Sequence, residues 1–341
     1  MAECVCQSER GAPILGRRRC AGGEVIVRTL LHVAAIAALL GVATGCNLIL
    51  GTEPPLPLGT GGAGNAPCGD AEWTHWDPAA KHTYDRRQGP DGKFIVVDAL
   101  TGLAWQTPGD QVAFTYDQAK GHCNTLAWGG LEGYRLPTMV ELASLTRYDL
   151  AAPSLDPTAF PGEPEGDYWT SSFSNEFDGQ ACYVSLGDGR IQTRQIETNL
   201  TAGVRCVKDL KPAADAGCVR YASADGGEAV RDIETGLVWQ RAAVIGTKKW
   251  ADAEIACATL QLADKTWRLP KVYELITLLD VAANSKSGLD PQFFPVKEIG
   301  DYYWSATPAV GADNEVWGVN PATFYAEPRP SSQQLYVRCV R

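Results

Sequence analysis

Tyr134 to Leu142 reads YRLPTMVEL, and 133 positions later Trp267 to Leu275 reads WRLPKVYEL. The likeness extends along the chain. DALTGLAWQ (98–106) returns as DIETGLVWQ (232–240), and Ala119, Cys123 and Leu126 return as Ala253, Cys257 and Leu260. SLDPTAFP returns as GLDPQFFP, GDYWTSS as DYYWSAT, and GVRCVKD as the terminal YVRCVR. Six blocks in one order, at offsets of 133 to 135, define a tandem duplication with units at 73–210 and 216–341. Two copies are too few for a solenoid, so each unit is expected to fold alone around its own core.

Within a unit, FIVVDALTGLAWQ (94–106) predicts two strands joined at a Thr-Gly turn, because β-branched and aromatic residues flank the turn pair. A helix is predicted next, since Ala119, Cys123 and Leu126 fall at i, i+4 and i+7 on one face. The repeated nonapeptide then marks a helix start. Pro137 ends an extended segment, Thr138 and Glu141 form a capping box, and Leu142 and Leu145 begin a buried stripe. Lys271 replaces the threonine in the second unit, where the box is expected to be lost and the helix to start less firmly. Arg135 with Glu141, and Arg268 with Glu274, are read as structural ion pairs at helix starts rather than as a catalytic pair.

The ordered motifs TGLxWQ, the Ala-x-x-x-Cys helix, [WY]RLPxxxEL, LDPxxFP, YW[ST]S and VRCV resemble the Lcl C-terminal domain family. The resemblance covers about residues 84–208 and 219–341. It implies an α+β fold of two tandem C-type-lectin-like domains, each with two helices on a small antiparallel sheet and a long irregular loop region after YW[ST]S. It also implies a surface adhesin that binds polysaccharide.

The first 45 residues have a different character. Arg17, Arg18, Arg19 and Arg28 precede an apolar run, Leu30 to Val42, that has the length of a signal-peptide core and falls short of a membrane span. VATGC follows and resembles a lipobox, which predicts a signal peptide at 1–45 and lipidation of Cys46. The other reading is an uncleaved anchor helix running on through Asn47 to Leu50. Either exports the domains, and Asn47 after the cysteine predicts an outer-membrane lipoprotein, on the cell surface or the periplasmic face. The long stretch before Arg28 also leaves room for a true start downstream of Met1. Residues 46–72, rich in Pro and Gly, are read as a flexible tether.

The net charge of −10 becomes −12 once five Arg and three Glu leave with residues 1–45. So acidic a chain lacks the clustered cations that phosphate binding needs, which argues against a nucleic-acid partner. Of eleven cysteines, Cys4, Cys6 and Cys20 belong to the leader and Cys46 to the anchor, which leaves seven in an oxidising setting. Cys123 and Cys206 match Cys257 and Cys339, so a disulfide is expected in each unit. Cys68, Cys182 and Cys218 remain, an odd set in which one pair forms, with Cys68–Cys182 preferred.

No metal, cofactor or catalytic site is expected. The second unit has no histidine, and the chain has no HExxH, CxxC or GxSxG. The Glu-Pro-Asn and Trp-Asn-Asp calcium motifs of C-type lectins are missing as well. GDGR (187–190) and SADGG (223–227) are too short for calcium loops and read as hairpin turns. The lectin-like fold also carries the formylglycine-generating oxidases, but here the matched cysteines are accounted for as staples. Surface chemistry remains. Trp169 and Trp304 are read as core. Phe173, Phe177 and Tyr183 in one unit, and Trp317, Phe324 and Tyr325 in the other, are the candidate ligand contacts, since aromatics near carboxylates suit sugar rings. The expected partner is a polysaccharide or a surface protein, reached from a membrane through the lipid anchor.

Overall fold

The computed structural model describes residues 82–150, 155–163, 165–174, 176–197, 200–210, 220–279, 287–295 and 301–341. The leader, the lipidation site Cys46, the tether, Cys68 and Cys218 lie outside the described residues. Among those described, no helix is long and apolar enough to cross a membrane.

The first repeat opens with strands β1 (Tyr84–Gln88), β2 (Phe94–Asp98) and β3 (Leu103–Thr107), followed by β4 (Asp110–Phe114), helix α1 (Tyr116–Thr125) and helix α2 (Met139–Ala143). A meander of β5 (Asp167–Phe173), β6 (Gln180–Ser185) and β7 (Ile191–Gln195) comes next, then β8 (Ala202–Val204) and β9 (Val207–Asp209). The second repeat has β10 (Tyr221–Ala224), β11 (Ala229–Asp232), β12 (Val238–Gln240), helices α3 (Trp250–Ala258) and α4 (Val272–Thr277), and a meander of β13 (Tyr303–Pro308), β14 (Glu315–Asn320) and β15 (Tyr325–Pro330). This is a mixed α+β fold, rich in sheet. The region after YW[ST]S, expected to be a long irregular loop, is the regular meander in both copies, because short continuous apolar runs, ACYV within β6 and VWGV within β14, are buried on both faces of the sheet.

The Thr-Gly turn between β2 and β3 is held by Asp98, whose carboxylate accepts from the Leu100 N–H at 3.0 Å and the Thr101 hydroxyl at 2.9 Å. Gly102 then takes φ +70°, a conformation that side chains resist. Before β12, Asp232 accepts from the Glu234 and Thr235 N–H groups, and Gly236 takes φ +72°. At α2, Thr138 Oγ1 accepts from the Glu141 N–H, and Glu141 accepts from the Thr138 N–H at 2.6 Å. Arg135 grips the same carboxylate with two bonds of 2.7 and 2.8 Å. The second copy keeps half of this box: the Lys271 N–H still donates to Glu274 at 2.6 Å and Arg268 still pairs with it, but an ammonium has no lone pair to receive the Glu274 N–H. The box is therefore halved rather than lost.

Each repeat has its disulfide, Cys123–Cys206 and Cys257–Cys339, joining α1 and α3 to the closing segments with Cα atoms 5.4 Å apart. Closing a loop of 83 or 82 residues contributes about 4 kcal/mol on chain-entropy grounds. The preferred third pair does not form. Cys182 is a free thiol, wholly buried on the core face of β6.

The expectation that each repeat folds around its own core is also overturned. Small clusters around each disulfide are separate, one with Tyr116 and Trp169, the other with Trp267 and Trp304. The principal core is shared. It unites Met139, Leu142, Tyr148 and Ile191 with Val272, Tyr273, Trp317 and Phe324. Tyr148 sets its ring edge-on to Tyr273 at 4.7 Å and to Trp317 at 4.6 Å. Strands β7 and β15 meet antiparallel through Ile191 and Ala326, which makes one sheet in the order β13-β14-β15-β7-β6-β5-β8-β4.

Candidate functional site

The strand registers decide which side chains share the outer face of this sheet. Tyr183 lies opposite both Trp169 and Gln192, so these three point one way and Cys182, Val184 and Ile191 point into the core. Because Ile191 is opposite Ala326, the next residues outward, Gln192 and Tyr325, face together on the side away from the shared core. Glu327 and Arg329 follow on that side, and Glu327 lies opposite Gly318, itself paired with Trp304. Toward the sheet's ends Trp169 and Trp304 are fully buried, against Tyr116 and Trp250.

Two clusters occupy the part of this face near the junction. In the first repeat Arg194 lies over the Tyr183 ring, 4.4 Å from its centroid, and pairs with Asp167 at 2.8 Å. The Tyr183 hydroxyl donates to Gln192 Oε1 at 2.6 Å. In the second repeat Arg329, at the position equivalent to Arg194, lies over Tyr302 at 4.3 Å and pairs with Glu327 at 2.9 Å. The Tyr302 hydroxyl also donates to Glu327, at 2.5 Å. Burial, with the Glu327 carboxylate next to it, pushes the Tyr302 phenol well above the usual range; burial and Asp167 raise Tyr183 in the same direction. Both phenols remain neutral donors at any physiological pH.

The wiring differs although the arginine is common. Tyr302 stands where the first repeat has Asp167, and Gly318 where it has Tyr183. A Cβ on Gly318 would meet Arg329 Cγ at 3.0 Å and Tyr302 Cδ1 at 3.3 Å, so the missing side chain makes room for the stacked pair. Each cluster thus offers a half-buried guanidinium, a carboxylate and a phenol within a few ångströms.

Of the residues expected to contact ligand, Tyr183 is buried beneath Arg194 in the first cluster, 9% exposed, and Tyr325 lies between the two clusters, half-buried, with its hydroxyl 3.2 Å from Thr193 Oγ1. Phe173 and Phe177 stand at the far end of the β5–β6 hairpin, 40% and 36% exposed. Trp317 and Phe324 are 4% and 0% exposed and fill the shared core, so neither presents a face to a ligand. Arg194, Arg329 and Glu327 were not foreseen; the recurrence of arginine at one position of both copies was the available signal.

A concavity of about 870 Å³ lies between the repeats, lined by Tyr84, Arg147, Tyr148 and Asp156 from one and Lys271 and Tyr273 from the other. Arg147 is held there by Asp149 at 2.5 Å and Asp156 at 3.3 Å. Its charged groups are thus partly spent on one another. Among the described residues no three His, Cys, Asp or Glu side chains converge in a way that could hold a metal ion.

Duplicated units of few helices on extensive sheet, each stapled by one disulfide, define a tandem α+β module. The chain belongs to the Lcl C-terminal domain family, which matches residues 94–208 and again residues 228–341. No curated protein matches the chain.

Proposed function

We propose that this protein is an exported lipoprotein, anchored through Cys46 in an outer membrane, that binds extracellular polysaccharide without chemically altering it. The observation that carries this reading is the pair of arginine–tyrosine–carboxylate clusters on one sheet face. Such groups suit sugars: each guanidinium, held flat by the phenol beneath it, binds vicinal hydroxyls in pairs together with its carboxylate. The two disulfides fit an oxidising compartment, and the acidic chain disfavours nucleic acid.

A surface-protein partner would use the same face, because Tyr and Arg also anchor protein interfaces. A glycan array probed with the lipid-free chain from residue 47, beside its Arg194→Ala and Arg329→Ala variants, separates the two. Glycan binding that weakens in both variants supports the proposal. Silence across neutral and acidic glycans would sink it and leave the protein-binding reading.

A further inference from the structure

The two arginines of the sheet face are already engaged by the protein. Arg194 donates from Nη2 to Asp167 Oδ2 at 2.8 Å and from Nη1 to the Thr201 carbonyl at 2.7 Å. Arg329 donates from Nη1 to Glu327 Oε1 at 2.9 Å and from Nε to Gln333 Oε1 at 3.1 Å. Two of the three nitrogens in each guanidinium are thus committed, so any fork that could grip an anion with two parallel bonds includes at least one of them.

The carboxylates each keep one oxygen. Asp167 Oδ1 and Glu327 Oε2 have no hydrogen-bond partner among the described residues, and the two side chains are 35% and 21% exposed. Each cluster therefore sets N–H donors beside a carboxylate acceptor, with one positive and one negative charge that cancel. A hydroxyl both donates and accepts, so a sugar with two neighbouring hydroxyls satisfies both halves at once. A sulfate or carboxylate only accepts, and it would meet Asp167 or Glu327 at close range with the cluster's one cation already neutralised. The chain from Cys46 carries −12, a net charge that repels a polyanion before contact.

Building on the sheet-face reading proposed above, we infer that the ligand is a neutral polysaccharide, selected against polyanions by Asp167 and Glu327. These two acids set specificity: they accept from sugar hydroxyls and turn away sulfated and uronate chains. Without them each cluster is an unpaired arginine, the arrangement that favours an anion.

The test measures binding of the lipid-free chain from residue 47 to neutral polysaccharides (glucans, mannans, galactans) and to polyanions (alginate, heparin, dextran sulfate) at about 20 mM and about 500 mM sodium chloride. A neutral ligand is expected, with an affinity that changes less than about twofold between the two salts, since no net charge is screened. Asp167→Asn combined with Glu327→Gln, at side chains open enough to solvent for the fold to tolerate the change, should weaken that ligand by about tenfold or more and create a heparin affinity that the higher salt removes. A wild type that prefers a polyanion, or whose binding collapses with salt, overturns the inference and leaves the polysaccharide reading standing. So does a double variant that holds the neutral ligand as tightly as the wild type or gains no affinity for heparin. If no polysaccharide of either kind binds, the polysaccharide reading itself falls and takes this inference with it.

Discussion

Ile191 pairs with Ala326, its own counterpart in the other repeat. The equivalence follows from the registers: Trp169 pairs with Tyr183 and Tyr183 with Gln192, while Trp304 pairs with Gly318 and Gly318 with Glu327, a constant offset of 135. A residue that meets its own equivalent in an antiparallel pair lies on a local two-fold axis, the signature of an isologous interface. The counterpart helices α2 and α4 also pack together. The duplication has thus built a dimer interface inside one chain, where linkage makes its association independent of concentration.

Unfolding should therefore be a single event for both repeats. Trp317→Ala removes a 4%-exposed ring whose partner, Tyr148, belongs to the other repeat, and should cost about 3–5 kcal/mol. Calorimetry should show one transition moving down as a unit. Two transitions, of which only the second repeat's moves, would contradict the shared core. Either repeat expressed alone should precipitate or dimerise, as it exposes its half of that core.

The two helix starts offer a matched pair of substitutions. Thr138→Ala removes the side-chain half of the α2 box and should lower stability by about 1 kcal/mol, whereas Lys271→Thr supplies the missing half at α4 and should raise it by a similar amount. Urea midpoints with unchanged slopes would check both. An unchanged Lys271→Thr would mean that water already serves the Glu274 N–H as well as a threonine hydroxyl does.

Features legible in the sequence were those whose partners are close along the chain or recur in both copies. Thr138, Glu141 and Arg135 fall within seven residues of one another, so sterics and hydrogen bonding place them together whatever the remainder does. The cysteines were legible because each pair repeats. The junction was not, because Tyr148, Trp317 and Phe324 meet across it without any local pattern to announce it. Aromatics near carboxylates read as ligand contacts, yet Trp317 and Phe324 fill the shared core, which no local spacing distinguishes from a surface cluster. The clusters were half legible: arginine recurs at 194 and 329, but the tyrosine changes strand, from Tyr183 to Tyr302, and no alignment of the copies shows the two as equivalent.

Cys182 should make the fold sensitive to alkali. Burial pushes its thiol well above the usual cysteine range, so the folded chain keeps the proton after the unfolded chain has released it. The stabilisation is complete below the unfolded pKa of about 8.5 and declines as pH rises beyond it, by up to about 1.4 kcal/mol per pH unit from this one group. The buried phenols of Tyr84 and Tyr148, also shifted upward by burial, add to the decline above about pH 10. Urea unfolding between pH 8 and 10 should show a shallower decline in Cys182→Ala. The native thiol should also resist Ellman's reagent at pH 8 until the protein unfolds; prompt labelling would place it at the surface.

The two-fold axis constrains how the sheet face would hold a polysaccharide. Clusters related by a two-fold point in opposite directions, whereas a glycan has a reducing and a non-reducing end, so one continuous segment cannot engage both in the same way. On the proposed reading each cluster grips its own segment, and a long chain that loops between them gains from linkage roughly a hundredfold over a short one. Arg194→Ala and Arg329→Ala should then each weaken polymer binding by about that factor, yet leave an oligosaccharide of a few sugars bound at the remaining cluster with unchanged affinity and half the stoichiometry. Isothermal titration with fragments of increasing length reads both quantities. If either substitution abolished oligosaccharide binding outright, the face would hold a single site across the junction, with Gln192 and Tyr325 at its centre.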